Sequence, residues 1–257
     1  MKNENNNAQQ ELNSTLSKSK NTIVIVHGAW SSANDWHNVA GYLNAADTNL
    51  ITVNLPGHGN DQTPVSNISL QLYVYEVLKA IGNETDVTLV GHSFGGIIVS
   101  EVAELIPSQI KKLIYVAAFI PKNGDSLLSI AQTDSESYVG RNLIVDESAG
   151  LASIVKEAIT EVFLADAPKP VADYVSNNLR PEPLAPLATP VTLTDANFGK
   201  VKKTYIYSQN DRTISYSVQQ TMVADAEVLR TYLLPSSHTP FIVFPEILSA
   251  IIKLESN

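Results

Sequence analysis

The stretch that decides the fold reads Leu89-Val90-Gly91-His92-Ser93-Phe94-Gly95-Gly96. An apolar strand pattern, Asp86 to Val90, runs into it, and an apolar, helix-compatible stretch, Ile97 to Ile106, follows. The pattern Gly-x-Ser-x-Gly between a strand and a helix is typical of a sharp turn that holds a serine in a strained conformation, clear of the sheet. Glycines flank the serine because the turn leaves little room for side chains. We therefore predict that Ser93 is a nucleophile beside the free N–H groups of a helix start.

Apolar runs elsewhere in the chain extend this pattern into a sheet. The run Thr22 to Val26 is continuous, apolar and β-branched, which is typical of a strand buried on both faces. Predicted strands and helices then alternate strictly, which indicates the α/β class: a mostly parallel sheet of about six strands flanked by helices. The predicted strands are 22–26, 50–53, 86–90, 112–119, 204–207 and 228–234, and the predicted helices are 33–45, 69–81, 97–106, 215–224 and 242–254.

The alternation breaks after residue 121. No comparable strand is predicted between residues 122 and 200, where helices are predicted over 148–164 and 170–179 and prolines punctuate the rest. The α/β pattern resumes afterwards, so we interpret residues 122–200 as an inserted, mainly helical cap within a core formed by residues 21–121 and 201–257. Residues 1–20 are polar and are predicted to form a flexible leader.

Composition and charge exclude several classes of protein. The chain has 257 residues, of which 44% are hydrophobic, and its formal net charge of −9 argues against nucleic acid and anionic membranes as partners. Cysteine is absent, which excludes disulfides and thiolate metal sites, and no histidine pair has metal-binding spacing. We expect no cofactor, no metal and a small-molecule partner, and a homodimer stays open as an assembly.

The sequence also bears on location. No apolar stretch approaches the roughly 18 residues of a membrane span. Residues 1–20 lack the apolar segment of a signal peptide, which favours a cytoplasmic location. Secretion after removal of a preceding signal peptide stays open.

A serine nucleophile needs a histidine base and an orienting carboxylate. Where the serine lies on such a strand-to-helix turn, the acid follows it along the chain and the histidine follows the acid. His238 is the base by elimination, because the other four histidines, His27, His37, His58 and His92, do not follow Ser93. Asp211 is the best-placed acid, since it comes just after a predicted strand, where ligand-facing groups of parallel sheets lie. A plain turn role for Asp211 stays open, because Asn-Asp favours turns.

An oxyanion hole needs two backbone N–H donors aimed at the developing charge. We predict Phe94, which follows the nucleophile, and Ala29, in the loop after the first strand. The tentative substrate pocket comprises Gly28, Trp30 and His92. The remaining predictions for this region are a structural hydrogen-bonding role for His27, a turn role for His58 and core packing for Trp36.

These residues resemble the α/β-hydrolase superfamily over nearly all of Thr22 to Leu254. Within it, the chain looks like the small-esterase branch that includes plant methylesterases and hydroxynitrile lyases, with bacterial carboxylesterases alongside. The segments that carry the resemblance are 26–30, 35–36, 54–59, 90–96, 179–187, 210–211 and 237–238. The resemblance implies an α/β-hydrolase fold and a Ser-His-Asp enzyme that cleaves small or medium carboxylic esters through an acyl-enzyme, without a cofactor.

Two alternatives stay open: cyanohydrin cleavage, and a small-molecule receptor with little turnover. Lyases that resemble this branch carry lysine after the triad histidine and threonine in the first loop, and their elbow departs from Gly-His-Ser-x-Gly. This chain has Thr239, Gly28 and His92 at those positions, so all three favour an esterase.

Overall fold

The computed structural model describes residues 21–257, and the predicted leader, residues 1–20, lies outside the described residues. Nine strands form two sheets in this part of the chain. The strands are β1 (Asn21–Val26), β2 (Thr48–Val53), β3 (Val87–His92), β4 (Ile110–Val116), β5 (Leu143–Asp146), β6 (Leu151–Ile154), β7 (Glu182–Pro183), β8 (Lys203–Ser208) and β9 (Arg230–Leu234).

Six of the strands form the central sheet, in the order β2-β1-β3-β4-β8-β9, and every neighbouring pair is parallel. The α-helices are α1 (His37–Leu43), α2 (Leu70–Ile81), α3 (Gly95–Leu105), α4 (Leu127–Ala131), α5 (Val139–Asn142), α6 (Ile159–Phe163), α7 (Lys169–Asn178), α8 (Leu184–Ala188), α9 (Tyr216–Asp225), α10 (Pro240–Val243) and α11 (Pro245–Ser256). Short 3₁₀ turns cover Ala33–Trp36, Val65–Asn67, Lys156–Ala158 and Phe198–Lys200.

Alternate residues of β1 pack on opposite faces of the sheet, as the pleat requires. Val24 and Val26 join the apolar cluster that includes α2 and α3. Ile23 and Ile25 join a second cluster, which contains residues of α1 and α11. Both faces of the central strands are therefore covered, which confirms the predicted parallel sheet flanked by helices.

The predicted elements occur with shifted ends, and two helices differ in kind. The helix predicted from residue 33 starts as the 3₁₀ turn and becomes α-helical at His37. The closing helix, predicted over 242–254, is two helices separated at Phe244, whose φ of −129° and ψ of 46° are not helical. Pro245 explains the break, because proline disfavours helical backbone at the residue before it.

The segment between β4 and β8, which we call the insertion, contains more helix than strand but also holds the antiparallel sheet β5-β6-β7. The helix predicted over 148–164 is therefore wrong for residues 151–154, which form β6. The cause is a tight turn before β6: Asp146 Oδ1 accepts the Ala149 N–H at 2.9 Å, and Gly150 takes a φ of 66°. This turn folds the chain back as a hairpin instead of a helix.

Candidate active site

Ser93 lies between the end of β3 and the start of α3, with a φ of 52°. A non-glycine residue in this left-handed region is strained, and such strain persists where the surroundings enforce it. The surroundings here are tight, because a Cβ atom added to Gly95 would lie 2.5 Å from the Val26 carbonyl oxygen. The sharp strand-to-helix turn expected at Ser93 is therefore present.

Asp211 and His238 meet beyond the ends of β8 and β9. His238 Nδ1 lies 2.8 Å from Asp211 Oδ2, and both side chains are buried. The other carboxylate oxygen, Oδ1, accepts the N–H groups of Thr213 at 2.7 Å and Ile214 at 3.0 Å. A carboxylate with two backbone donors is held as an acceptor, so Nδ1 of His238 carries the proton and Nε2 is left to accept one.

His92 connects this pair to the elbow. Its Nε2–H donates to the His238 carbonyl oxygen at 2.9 Å, and the two imidazole rings lie 4.6 Å apart. Burial keeps the pKa of His92 well below its ordinary value, so the ring is neutral. Within residues 21–257 no hydrogen bond joins Ser93 Oγ to His238 Nε2, and such bonds are often long in a site without substrate.

The loop after β1 lies against the nucleophile. A Cβ atom added to Gly28 would lie 2.7 Å from the Cβ of Ser93, so only glycine allows this approach. Neither the Ala29 N–H nor the Phe94 N–H has an acceptor among the described residues. These are the two donors predicted for an oxyanion hole, and both are free to take a ligand oxygen.

His27 and His58 lie side by side, with ring centroids 4.9 Å apart, and within residues 21–257 neither is hydrogen-bonded to Ser93. His27 Nε2 accepts the Leu55 N–H at 3.1 Å, and burial together with His58 lowers the pKa of His27 to about 3, which fits its predicted structural role. The turn role predicted for His58 is incomplete: its ring is buried and pairs with Glu182 at 2.8 Å. Sequence reasoning missed Glu182, whose signal was a carboxylate in an otherwise apolar, proline-rich segment, Pro181 to Leu187.

A small, mainly apolar cavity lies beside His238. Its lining residues are Ala29, Ser31, Asp35, His92, Phe163, Val175, Leu179, His238, Thr239, Phe241 and Ile242. A larger, more polar groove shares Ser31, Asp35, Val175 and Leu179 with that lining, so the groove lies next to the cavity. Of the predicted pocket residues, His92 lines the cavity, Trp30 lines the groove, and Gly28 lies against Ser93.

A family model for α/β-hydrolases matches residues 23–250, which span the sheet, the elbow and both loops beyond β8 and β9. The chain belongs to the α/β-hydrolase family.

Relatives of this α/β-hydrolase carry esterase names. A carbendazim-hydrolysing esterase from Nocardioides is 30% identical over 194 residues, covering 72% of this chain and 78% of the relative. An Arabidopsis thaliana chloroplastic protein assigned as methylesterase 11 is 28% identical over 242 residues. That alignment covers 89% of this chain, which spans 62% of the Arabidopsis protein's length. The crystal structure of a pyrethroid hydrolase from Sphingobium faniae shares the fold, with a TM-score of 0.82, 22% identity and coverage of 91% and 96% of the two chains.

The insertion of this α/β-hydrolase holds both loops that carry the Asp–His pair. Thr213 Oγ1, two residues after Asp211, donates to the Val162 carbonyl oxygen at 3.0 Å. On either side of His238, the Ser237 N–H donates to Asp166 at 2.7 Å and Thr239 Oγ1 donates to the Phe163 carbonyl oxygen at 3.0 Å. The end of α6 and the residues after it therefore fix the backbone around the pair.

Residues 21–257 contain no group of three or more His, Asp or Glu side chains placed to hold a metal ion. None of the helices described for these residues combines the length and the apolar character needed to cross a bilayer.

Proposed function

We propose that the chain is a serine esterase that cleaves small or medium carboxylic esters through an acyl-enzyme, with Ser93, His238 and Asp211 as the catalytic triad. The observation that carries the proposal is the 2.8 Å contact between His238 Nδ1 and Asp211 Oδ2, on loops adjoining the Ser93 elbow. The esterase names of the relatives support the same class of reaction.

In acylation, Ser93 Oγ attacks the ester carbonyl carbon while His238 Nε2 takes the hydroxyl proton. Asp211 stabilises the imidazolium that forms, and the carbonyl oxygen becomes an oxyanion between the Phe94 and Ala29 N–H groups. The tetrahedral intermediate collapses, the C–O bond to the alcohol breaks, and His238 gives its proton to the departing alkoxide. The acyl group is then bound to Ser93.

In deacylation, water replaces the alcohol and His238 again accepts a proton. Water attacks the acyl carbon, the carboxylic acid leaves, and the proton returns to Ser93 Oγ. The mainly apolar lining of the cavity, which includes Phe163, Phe241 and Ile242, suits an uncharged acyl or alcohol group. We also propose that residues 122–200 act as the cap over this cavity.

Cyanohydrin cleavage fits the cavity less well. Departing cyanide needs a nearby cation, and the lining of the cavity contains no lysine or arginine. Thr239, directly after His238, is uncharged, and its hydroxyl is bonded to the Phe163 carbonyl oxygen. We therefore expect negligible cyanide release from mandelonitrile.

The test compares Ser93→Ala with the wild type and with Ser66→Ala, which changes an exposed serine remote from the site. Hydrolysis of p-nitrophenyl acetate and butyrate and labelling by a fluorophosphonate are the measurements. We expect Ser93→Ala to lose about 10⁴- to 10⁶-fold in kcat, as is typical of a triad member. Near-normal turnover in that variant would contradict the proposal, and ester binding by the wild type without turnover would favour a receptor instead.

A further inference from the structure

Glu182 lies on β7 of the insertion, and its fully buried carboxylate reaches the loop after β1. Oε2 accepts the backbone N–H of Trp30 at 2.8 Å and contacts His58 Nε2 at 2.8 Å. Oε1 accepts the Tyr73 hydroxyl at 3.4 Å. One carboxylate therefore joins the insertion, the first loop, the loop after β2 and helix α2.

The geometry around His58 sets the charge of this group. His58 Nε2 faces a Glu182 oxygen, and Nδ1 lies 3.1 Å from the Pro56 carbonyl oxygen, so both ring nitrogens face acceptors and both carry protons. Burial alone would lower the pKa of His58, but the charge and hydrogen bond of Glu182 raise it above its ordinary value. Glu182 and His58 thus form a buried ion pair with no net charge.

Three other ionisable side chains lie near the pair, and none of them takes the place of Glu182 or His58: His27, Tyr73 and Arg180. The His27 ring, 4.9 Å from that of His58, is neutral because burial lowers its pKa to about 3. Tyr73 is neutral too, since burial and Glu182 raise the pKa of its hydroxyl. Arg180 donates to the carbonyl oxygens of Gly59 and Asp61. Loss of one partner would leave the other charge buried and unpaired, which is strongly destabilising.

Trp30, which Glu182 binds, has a φ of 60°. A non-glycine residue in this region is strained and persists only where its surroundings enforce it. The insertion enforces it twice, through Glu182 at the backbone and through the Ala152 carbonyl oxygen, which accepts the indole N–H at 2.9 Å. The bond to Glu182 fixes the peptide plane that follows Ala29.

We propose that Glu182 is a positioning residue for catalysis: it holds the loop Gly28 to Trp30 so that the Ala29 N–H faces the oxyanion. This inference rests on the proposed esterase function. His58 is required as the partner because an unpaired carboxylate this close to the loop would repel the oxyanion. The pair supplies the hydrogen bond without adding a negative charge to the site.

The test is Glu182→Leu, which keeps the approximate size of the side chain and removes both its charge and the acceptor of the Trp30 N–H. We expect kcat on p-nitrophenyl acetate to fall about 10- to 100-fold with KM within about threefold, because the affected donor acts mainly in the transition state. A trifluoromethyl ketone provides a readout that a purely structural role would not move. Ser93 Oγ adds to its carbonyl carbon, His238 takes the proton, and the resulting oxyanion occupies the hole, so its Ki should rise by the same factor.

Asp173→Asn is the matched control, because it removes an exposed carboxylate of the insertion that pairs with Lys169 on its own helix. This variant should keep the wild-type kcat and Ki. An inert wild type would refute the esterase proposal, whereas an active wild type with an equally active Glu182→Leu would refute the role of Glu182 alone. A lower kcat with an unchanged Ki would also refute it.

If Glu182→Leu fails to fold, hydrogen exchange in the wild type tests the proposal instead. We expect the Trp30 amide to be as protected as amides of the central sheet, because its hydrogen bond is buried. Exchange at the rate of an exposed loop amide would show that Glu182 does not hold the loop.

Discussion

Asp211 uses its two oxygens differently, and this makes the residue sensitive to an isosteric change. Oδ1 accepts two backbone N–H groups and Oδ2 faces His238 Nδ1. In Asp211→Asn, the backbone donors keep the amide oxygen on their side, so the NH₂ group faces Nδ1 and drives the ring proton to Nε2. That tautomer cannot accept the Ser93 proton, and we expect kcat to fall by about 10⁴-fold.

The measurement is ester turnover together with the melting temperature, which should change little. Asp195→Asn, at an exposed position, is the matched control and should retain full activity. Full activity in Asp211→Asn would assign the acid role to another carboxylate.

The sequence predicted the residues whose positions follow from chain order, and missed those whose partners are distant in sequence. Ser93 has a local signature, and His238 and Asp211 follow it in a fixed order, so the sequence proposes all three, and the structure brings Asp211 and His238 together. Glu182 and His58 are 124 positions apart, and neither has a local pattern that indicates the other. Burial of an ion pair depends on the tertiary fold, which a single sequence does not display.

At the scale of elements, we expect a glycine-to-alanine substitution to have opposite effects in the loop after β1 and in helix α1. Gly28 lies in the loop after β1, where a new Cβ would be 2.7 Å from the Ser93 Cβ. Gly41 lies exposed in α1, and a Cβ there would have no atom within 4 Å. We expect Gly28→Ala to push the loop from the nucleophile and lower kcat by about 10²-fold, since small displacements of catalytic groups cost this much.

Gly41→Ala should keep its activity and raise the free energy of unfolding by about 0.5–1 kcal/mol, because alanine favours the helix. Kinetics on p-nitrophenyl acetate and denaturant unfolding of both variants are the measurements. Equal activity in the two variants would mean that the loop tolerates displacement from Ser93.

The central sheet was predictable because its inner strands β1 and β3 are buried on both faces and so appear as largely apolar runs. The insertion was harder to predict from the sequence, because β6 has only four residues and its start depends on the turn at Gly150. Propensity alone does not separate such a short apolar run from a helix. The break at Phe244 was readable in principle, since Pro245 follows it.

For the whole molecule, Glu255 near the end of α11 ties the last helix to three strands of the sheet. Its buried carboxylate accepts hydrogen bonds from Lys112 Nζ at 2.7 Å, Thr204 Oγ1 at 2.9 Å and Arg230 at 2.9 Å. Burial opposes its ionisation, but hydrogen bonds from Lys112 and other donors lower the pKa of Glu255 to about 2. The helix is thereby anchored across β4, β8 and β9.

A carboxylate whose pKa is lowered in the folded state stabilises the fold at pH values above its ordinary pKa of 4.5. This contribution is lost as the pH falls towards 2. We expect Glu255→Gln to melt several degrees below the wild type at pH 7, with the difference narrowing between pH 4.5 and pH 2. Glu246→Gln, exposed on the same helix, should melt close to the wild type. A difference independent of pH would show that the ionised carboxylate is not the cause.

The contacts of the insertion bear on how substrate and product travel. The insertion is hydrogen-bonded to the loops next to Asp211 and His238 and to the loop after β1, so it cannot swing away without disturbing all three. If the insertion opened as a hinged lid, its hydrogen bonds to these three loops would have to break and re-form at every turnover. We therefore expect substrate and product to move along the polar groove, which shares Ser31 and Leu179 with the lining of the cavity. For the proposed esterase, we expect the residues shared by the cavity and the groove to limit the size of the ester that is accepted.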